Sequence, residues 1–193
     1  SELTPIFADN DLAFKGYDES TAIKGKNEYR IYYSSEEAVV DKPLYIIDGY
    51  DPGDTRKIEA DDFGHNRKDK SIKQLMSYDI DNDPENNNNI DLVDVLNLLG
   101  YDVIIVNHVV NEDNGIDGGG DYVERNAYTF ISLLRHIKSI QQGNEEAVVI
   151  GPSMGGLISR YALAYMEKKH AETGLEKWNH NTRLWVSFDS PHQ

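Results

Sequence analysis

Three short apolar runs constrain this chain more than any other feature: LYII at 44–47, VIIV at 103–106 and AVVI at 147–150. A strand with one wet face alternates apolar and polar residues. These runs do not alternate, so each reads as a strand buried on both faces. A fourth segment, RLWVSF at 183–188, also reads as a strand. Between the strands, apolar residues recur at helical spacing. Leu92, Val95, Leu96 and Leu99 form one such face, with Gly100 where a helix C-terminal glycine belongs. Val123, Ala127, Phe130, Ile131, Leu134 and Ile137 form another, introduced by the D-x-x-E spacing of Asp121 and Glu124. Leu157, Ile158, Tyr161, Ala162, Tyr165 and Met166 form a third. Strands and helices in strict alternation predict an α/β fold, a mostly parallel sheet with helices on both faces. Upstream, EYRIYYS at 28–34 alternates as a half-buried strand does. The tyrosine-rich residues 1–40 are expected to add antiparallel strands at one edge, with Tyr17, Tyr29, Tyr32 and Tyr33 covering it.

A chain of 193 residues with 39% apolar side chains can bury one core. A formal net charge of −15 repels nucleic acid and anionic membrane surfaces, so neither is an expected partner. There is no cysteine, which removes disulfides, thiolate metal sites and a thiol nucleophile. No apolar run reaches the roughly 18 residues of a membrane span.

The chemistry points to Gly151-Pro152-Ser153-Met154-Gly155, a match to G-x-S-x-G. The letters alone are weak evidence, but here they follow a buried strand directly and open an amphipathic helix, the setting of a nucleophile elbow. A Cβ at 151 or 155 would strike the neighbouring strand or helix, and Gly156 lets the helix approach the sheet. Ser153 sits at a helix N-terminus, where partial positive charge and the N–H of Met154 favour a developing anion. The plain alternative is a serine N-cap. Acyl transfer needs a further oxyanion donor. YIIDGYDPGD at 45–54 offers one, since Gly49 lets the chain turn back and brings the N–H of Tyr50 toward Ser153.

VVIGPSMGGLISRYAL, LWVSFDSPHQ at 184–193 and YIIDGYDPGD together resemble the α/β-hydrolase superfamily, its lipase- and esterase-like members in particular. VVIGPSMGGLISRYAL is similar to the elbow strand and helix. LWVSFDSPHQ is similar to the strand that often ends in a T/S-P-H motif. YIIDGYDPGD takes the place of the oxyanion loop, with Asp48 where the family often has histidine. The resemblance covers roughly residues 28–193 and implies a serine hydrolase acting on small-molecule or lipid-like carboxylic esters through an acyl-enzyme on Ser153, without a cofactor. It also implies a triad order of nucleophile, acid, histidine, with the last two beyond residue 193. The chain is therefore expected to be one α/β-hydrolase domain incomplete at its C-terminus: a fragment, a cleaved piece or one of two chains, completed by the remainder of its own domain. The resemblance and the SELTP start lean toward an extracytoplasmic location in a bacterium. The alternatives are a non-catalytic binding or assembly domain and an acyltransferase on the same fold.

Among the six histidines, His108 lies just past VIIVN, at the carboxyl edge where ligands bind in such sheets, and is a candidate for lining the pocket. His192 follows the S-P turn, where the family's histidine is structural. Asp189 reads as turn or cap chemistry. Asp79, Asp81 and Asp83 are spaced as in a calcium loop, but Pro84 and Ile90 stand where glycine and glutamate belong, so a solvated turn is expected. Asp113, Asp117 and Asp121 flank the glycines at 118–120; they hold a cation, or the loop is a mobile rim.

Overall fold

All three runs become strands at the centre of one sheet. The computed structural model describes residues 1–63, 71–79 and 89–191. Its main sheet has β1 (Thr4–Phe7), β2 (Lys26–Tyr32), β3 (Pro43–Ile47), β4 (Asp102–Asn107), β5 (Ala147–Pro152) and β6 (Thr182–Phe188), in the spatial order β1-β2-β4-β3-β5-β6. The first two strands are antiparallel to each other, and β2 is antiparallel to β4. From β4 through β3 and β5 to β6 every pairing is parallel. Every residue of β3 and β4 is buried, whereas β2 alternates buried with half-buried.

Among the described residues four α-helices cover the sheet: α1 (Ile72–Leu75), α2 (Leu92–Leu98), α3 (Val123–Ile140) and α4 (Met154–Thr173). On one face Tyr45, Ile47, Ile104, Val106 and Val149 meet Phe130, Ile131, Leu134, Ile158 and Ala162 of α3 and α4. On the other, Leu44, Ile46, Val103, Ile105 and Val148 meet Ile58, Ile72 and Val93, with half-buried Leu3, Tyr32, Met76, Leu96 and Tyr101 packed against them. Among the described residues this opposite layer is thinner, and Leu184 and Val186 of β6 lie outside its buried cluster. Leu184 and Val186 stand in register with Val148 and Ile150, on that face, and are 47% and 36% exposed. Each apolar side chain left this open forgoes part of the roughly 1.5–3 kcal/mol of a full burial.

Three local expectations need correction. The D-x-x-E pair makes no capping box: Tyr122 is the N-cap of α3, and Asp121 instead accepts from the buried Arg125 at 2.7 Å. An arginine with almost no exposure needs counter-charges, and Asp121 and Glu19 supply them. In α2 only Val93 is fully buried, and Leu99 is exposed at the helix end just before Gly100 turns at φ 81°. At the sheet edge Tyr29 is buried as expected, but Tyr17 is 92% exposed and meets Tyr122 edge-on.

Candidate active site

The topology leaves a crevice at the carboxyl ends of β3 and β5. From β3 the chain goes to β4 on one side; from β4 it crosses β3 through α3 to reach β5 on the other. Connections that leave neighbouring strands in opposite directions leave room between their loops, and ligands bind there in open α/β sheets. A cleft of about 460 Å³ occupies this place, with Ser153, Gly49, Tyr50, Arg56, Ile72 and Phe188 among its walls.

Ser153 joins β5 to α4 with φ 49° and ψ −129°, a backbone conformation that costs a non-glycine residue on the order of 1–3 kcal/mol. It is the residue before the first turn of α4, yet its side chain makes no capping hydrogen bond. That separates it from an ordinary serine cap, whose oxygen would accept from the N–H two or three residues into the helix. Close approach fixes the turn. A Cβ on Gly155 would lie 2.4 Å from the carbonyl oxygen of Ile47, and one on Gly151 would lie 2.5 Å from that of Gly155. The end of β6 holds the strained residue from below. Ser153 N–H donates to the Phe188 carbonyl at 3.1 Å, and Ser190 Oγ donates to the Ser153 carbonyl at 2.6 Å. Gly156 makes room for this, because a Cβ there would meet Ser190 and Ser187 Oγ. Met154 is the first residue of α4, so its N–H has no acceptor within the helix.

Asp48-Gly49-Tyr50 leaves β3 directly opposite. A Cβ on Gly49 would come within 2.9 Å of Ser153 Cβ, so glycine is what lets the two turns meet. The Tyr50 side chain is 62% exposed on the cleft wall. Asp48 is buried. Its carboxylate accepts from Arg56 Nε and Nη2 at 3.3 and 3.2 Å, yet desolvation outweighs that charge and holds the carboxyl above the usual carboxylate range. Further along, Asp51 accepts from Thr55 Oγ1 at 2.5 Å and Arg56 N–H at 2.7 Å.

His108 is not on the cleft wall. It is fully buried behind it, with Nε2 3.2 Å from the Asp48 carbonyl and Nδ1 3.1 Å from the Asn27 amide. Burial drives its pKa down to about 4, so the ring is neutral and carries one N–H. Nε2 faces a carbonyl, which can only accept, so the proton sits there and goes to Asp48, while Nδ1 lies against the Asn27 side-chain amide. The carboxyl edge is where the sequence places His108; the loop folding over it is what takes it out of solvent.

The glycines at 118–120 have a role that their sequence does not reveal. They buttress the loop after β3. Asp51 N–H donates to the Gly119 carbonyl at 3.1 Å, and a Cβ on Gly119 would lie 2.0 Å from the Asp51 carbonyl oxygen. Asp117 caps the glycine turn with one oxygen and accepts from Gly53 N–H at 2.7 Å with the other. Asp121 pairs with Arg125, and the two acidic residues, Asp117 and Asp121, line a separate open cavity with Asp18 and Glu19. Asp79 ends a short strand; Asp81 and Asp83 lie outside the described residues. Among the described residues no group of three or more acidic or histidine side chains is placed to hold a metal.

No histidine lines the cleft among the described residues. His136 is exposed on α3 beside Tyr29, His170 bonds the Leu175 carbonyl, and His180 faces Glu167. His65 and His192 lie outside the described residues. Asp189 does line the cleft, at φ 51°, in the turn that ends β6.

No protein-family model matches the chain, and no curated protein matches it. Solved structures do. A structure assigned as a hydrolase from Agrobacterium vitis S4 superposes with a TM-score of 0.51 at 15% identity, covering 98% of this chain and 52% of that one. The peroxisomal α/β-hydrolase of Saccharomyces cerevisiae gives 0.48 at 13% identity, covering 98% and 45%. A lidless α/β serine hydrolase from Xanthomonas campestris gives 0.43 at 11%, covering 98% and 86%. With its strand order and parallel core, the chain has the α/β-hydrolase fold. It spans about half the length of the first two of these structures. Among the described residues no helix is long and apolar enough to cross a membrane.

Proposed function

We propose that this chain carries the nucleophile and oxyanion hole of a serine hydrolase that cleaves carboxylic esters. The observation that carries the reading is Ser153: a non-glycine residue held at positive φ, at the mouth of the switch-point cleft, with a side chain that does not cap its helix. Ser153 Oγ attacks the ester carbonyl. The N–H groups of Met154 and Tyr50 receive the oxyanion, the alcohol leaves, and water hydrolyses the acyl-enzyme. Tyr50, Ile72, Leu75, Met76 and Phe188 give the cleft apolar walls, which suit a small-molecule or lipid-like ester. Esters are named over peptides on the family resemblance.

The proton must pass through a base. We place the histidine and its orienting acid in polypeptide beyond residue 193, completing the same domain. Three observations support this: no described histidine lines the cleft, the chain spans about half of the Agrobacterium vitis structure, and β6 leaves Leu184, Val186 and Phe188 exposed. A cleft with no histidine among the described residues also suits an alternative reading, a binding domain on the same scaffold. Treating the full-length protein with a fluorophosphonate separates them. Covalent labelling that disappears in Ser153→Ala supports the hydrolase. An intact, folded protein that takes up no label supports the binding domain and removes the enzyme.

A further inference from the structure

The oxyanion donor of the β3 loop is a single peptide, Gly49–Tyr50, in a segment whose glycine has no side chain to anchor it. Its two neighbouring peptides are both anchored from outside. On one side the Asp48 carbonyl accepts from His108 Nε2 at 3.2 Å. His108 is itself fixed, being fully buried and bonded to Asn27 of β2. On the other side the Tyr50 carbonyl accepts from Arg56 Nη2 at 2.9 Å, and the same guanidinium grips the Asp48 carboxylate. Arg56 thus ties the start of the loop to its middle, and His108 ties the start to the sheet. Neither contact touches the reacting atoms. Both set where the Cα atoms of Gly49 and Tyr50 lie, and therefore how far the N–H between them stands from Ser153.

We propose that His108 and Arg56 are positioning residues for the oxyanion hole, holding the Gly49–Tyr50 peptide in place against Ser153; this rests on the reading of Ser153 as the nucleophile. An oxyanion donor acts chiefly in the transition state, so its displacement lowers kcat more than it raises KM. Losing one donor outright costs about 10²–10³ in kcat, and a displaced one is expected to cost about tenfold.

The test uses the full-length protein and a short-chain p-nitrophenyl ester. Active sites are counted by fluorophosphonate titration, so that unfolded molecules drop out. Arg56→Met alone would leave the Asp48 carboxylate buried and unpaired, so the variant is the pair Asp48→Asn/Arg56→Met. His108→Phe keeps a ring but loses both nitrogens, and His108→Gln returns an N–H donor. The double variant and His108→Phe are each expected to lower kcat per titrated site about tenfold with KM within about twofold. Each should also bind a boronate, which forms a tetrahedral adduct on serine, about tenfold more weakly. His108→Gln should recover part of the loss. If these variants melt lower but keep the wild-type kcat per site and boronate affinity while Ser153→Ala is inactive, the two residues are merely structural and the nucleophile stands. If Ser153→Ala retains activity, the nucleophile reading falls and this proposal with it. Should His108→Phe fail to fold, the double variant decides.

Discussion

Two turns meet at the cleft, and they are held by different means. The elbow after β5 is fixed mostly by backbone against backbone, with Gly155 against the Ile47 carbonyl, Gly151 against the Gly155 carbonyl and Ser153 N–H on Phe188, and with the Ser190 hydroxyl added on the Ser153 carbonyl. The loop after β3 is fixed mostly by side chains that arrive from elsewhere. His108 comes from the end of β4, Asp117 from the loop beyond it, and Asn107 Nδ2 donates to Asp54 at 2.9 Å. A turn made by the absence of side chains leaves its mark in five consecutive letters. A turn made by the presence of distant ones leaves almost none.

The largest effect should come from the elbow's own hydroxyl. Ser153→Ala is expected to lower ester hydrolysis by the full-length protein about 10⁴-fold or more, read in steady-state assays. A smaller loss would mean that the elbow does not carry the chemistry.

Next is the buried tie of the β3 loop. His108 is neutral in the folded protein with a pKa of about 4, below the roughly 6.5 of an unfolded histidine. The unfolded chain therefore binds the extra proton first. The contribution from His108 is fully present above about pH 6.5 and declines as pH falls toward 4, by up to about 3 kcal/mol. Urea melts from pH 7 to 4 should show this slope in the wild type and its reduction in His108→Gln. An identical slope in both would place the pH dependence elsewhere.

Backbone contact in the elbow should then appear as stability. Gly155→Ala puts a methyl where 2.4 Å separates it from a carbonyl oxygen, and should cost about 1–3 kcal/mol, a fall of several degrees in Tm by calorimetry. The smallest effect has the opposite sign. Ser153→Gly removes the strain of a side chain at φ 49° and should raise stability by up to about 1 kcal/mol while abolishing hydrolysis. A destabilised Ser153→Gly would show that this turn is not strained.

Much of the layer order was legible because burial on both faces writes itself as uninterrupted apolar runs. LYII, VIIV and AVVI lie within β3, β4 and β5. Edges were less legible. The apparent capping box at Asp121 gives way to the charge demand of Arg125, which is set by a residue 106 positions away, Glu19. The polar spacing of Asp113, Asp117 and Asp121 suggests a cation or a rim, whereas Asp117 and the glycines serve the neighbouring loop. Periodicity reports which face is dry; it does not report which polar partner arrives across the sheet.

By itself the sequence determined the parallel core, the alternation of strand and helix, and the place where a serine stands among glycines, because each depends on residues next to one another along the chain. Only the tertiary structure decided that this serine leaves its helix uncapped, that Gly49 meets it across the cleft, and that His108 is sealed behind the loop and not open to a ligand. Those outcomes depend on contacts between segments dozens of residues apart, and the order of strands in the sheet, which no local pattern specifies, is what brings them together.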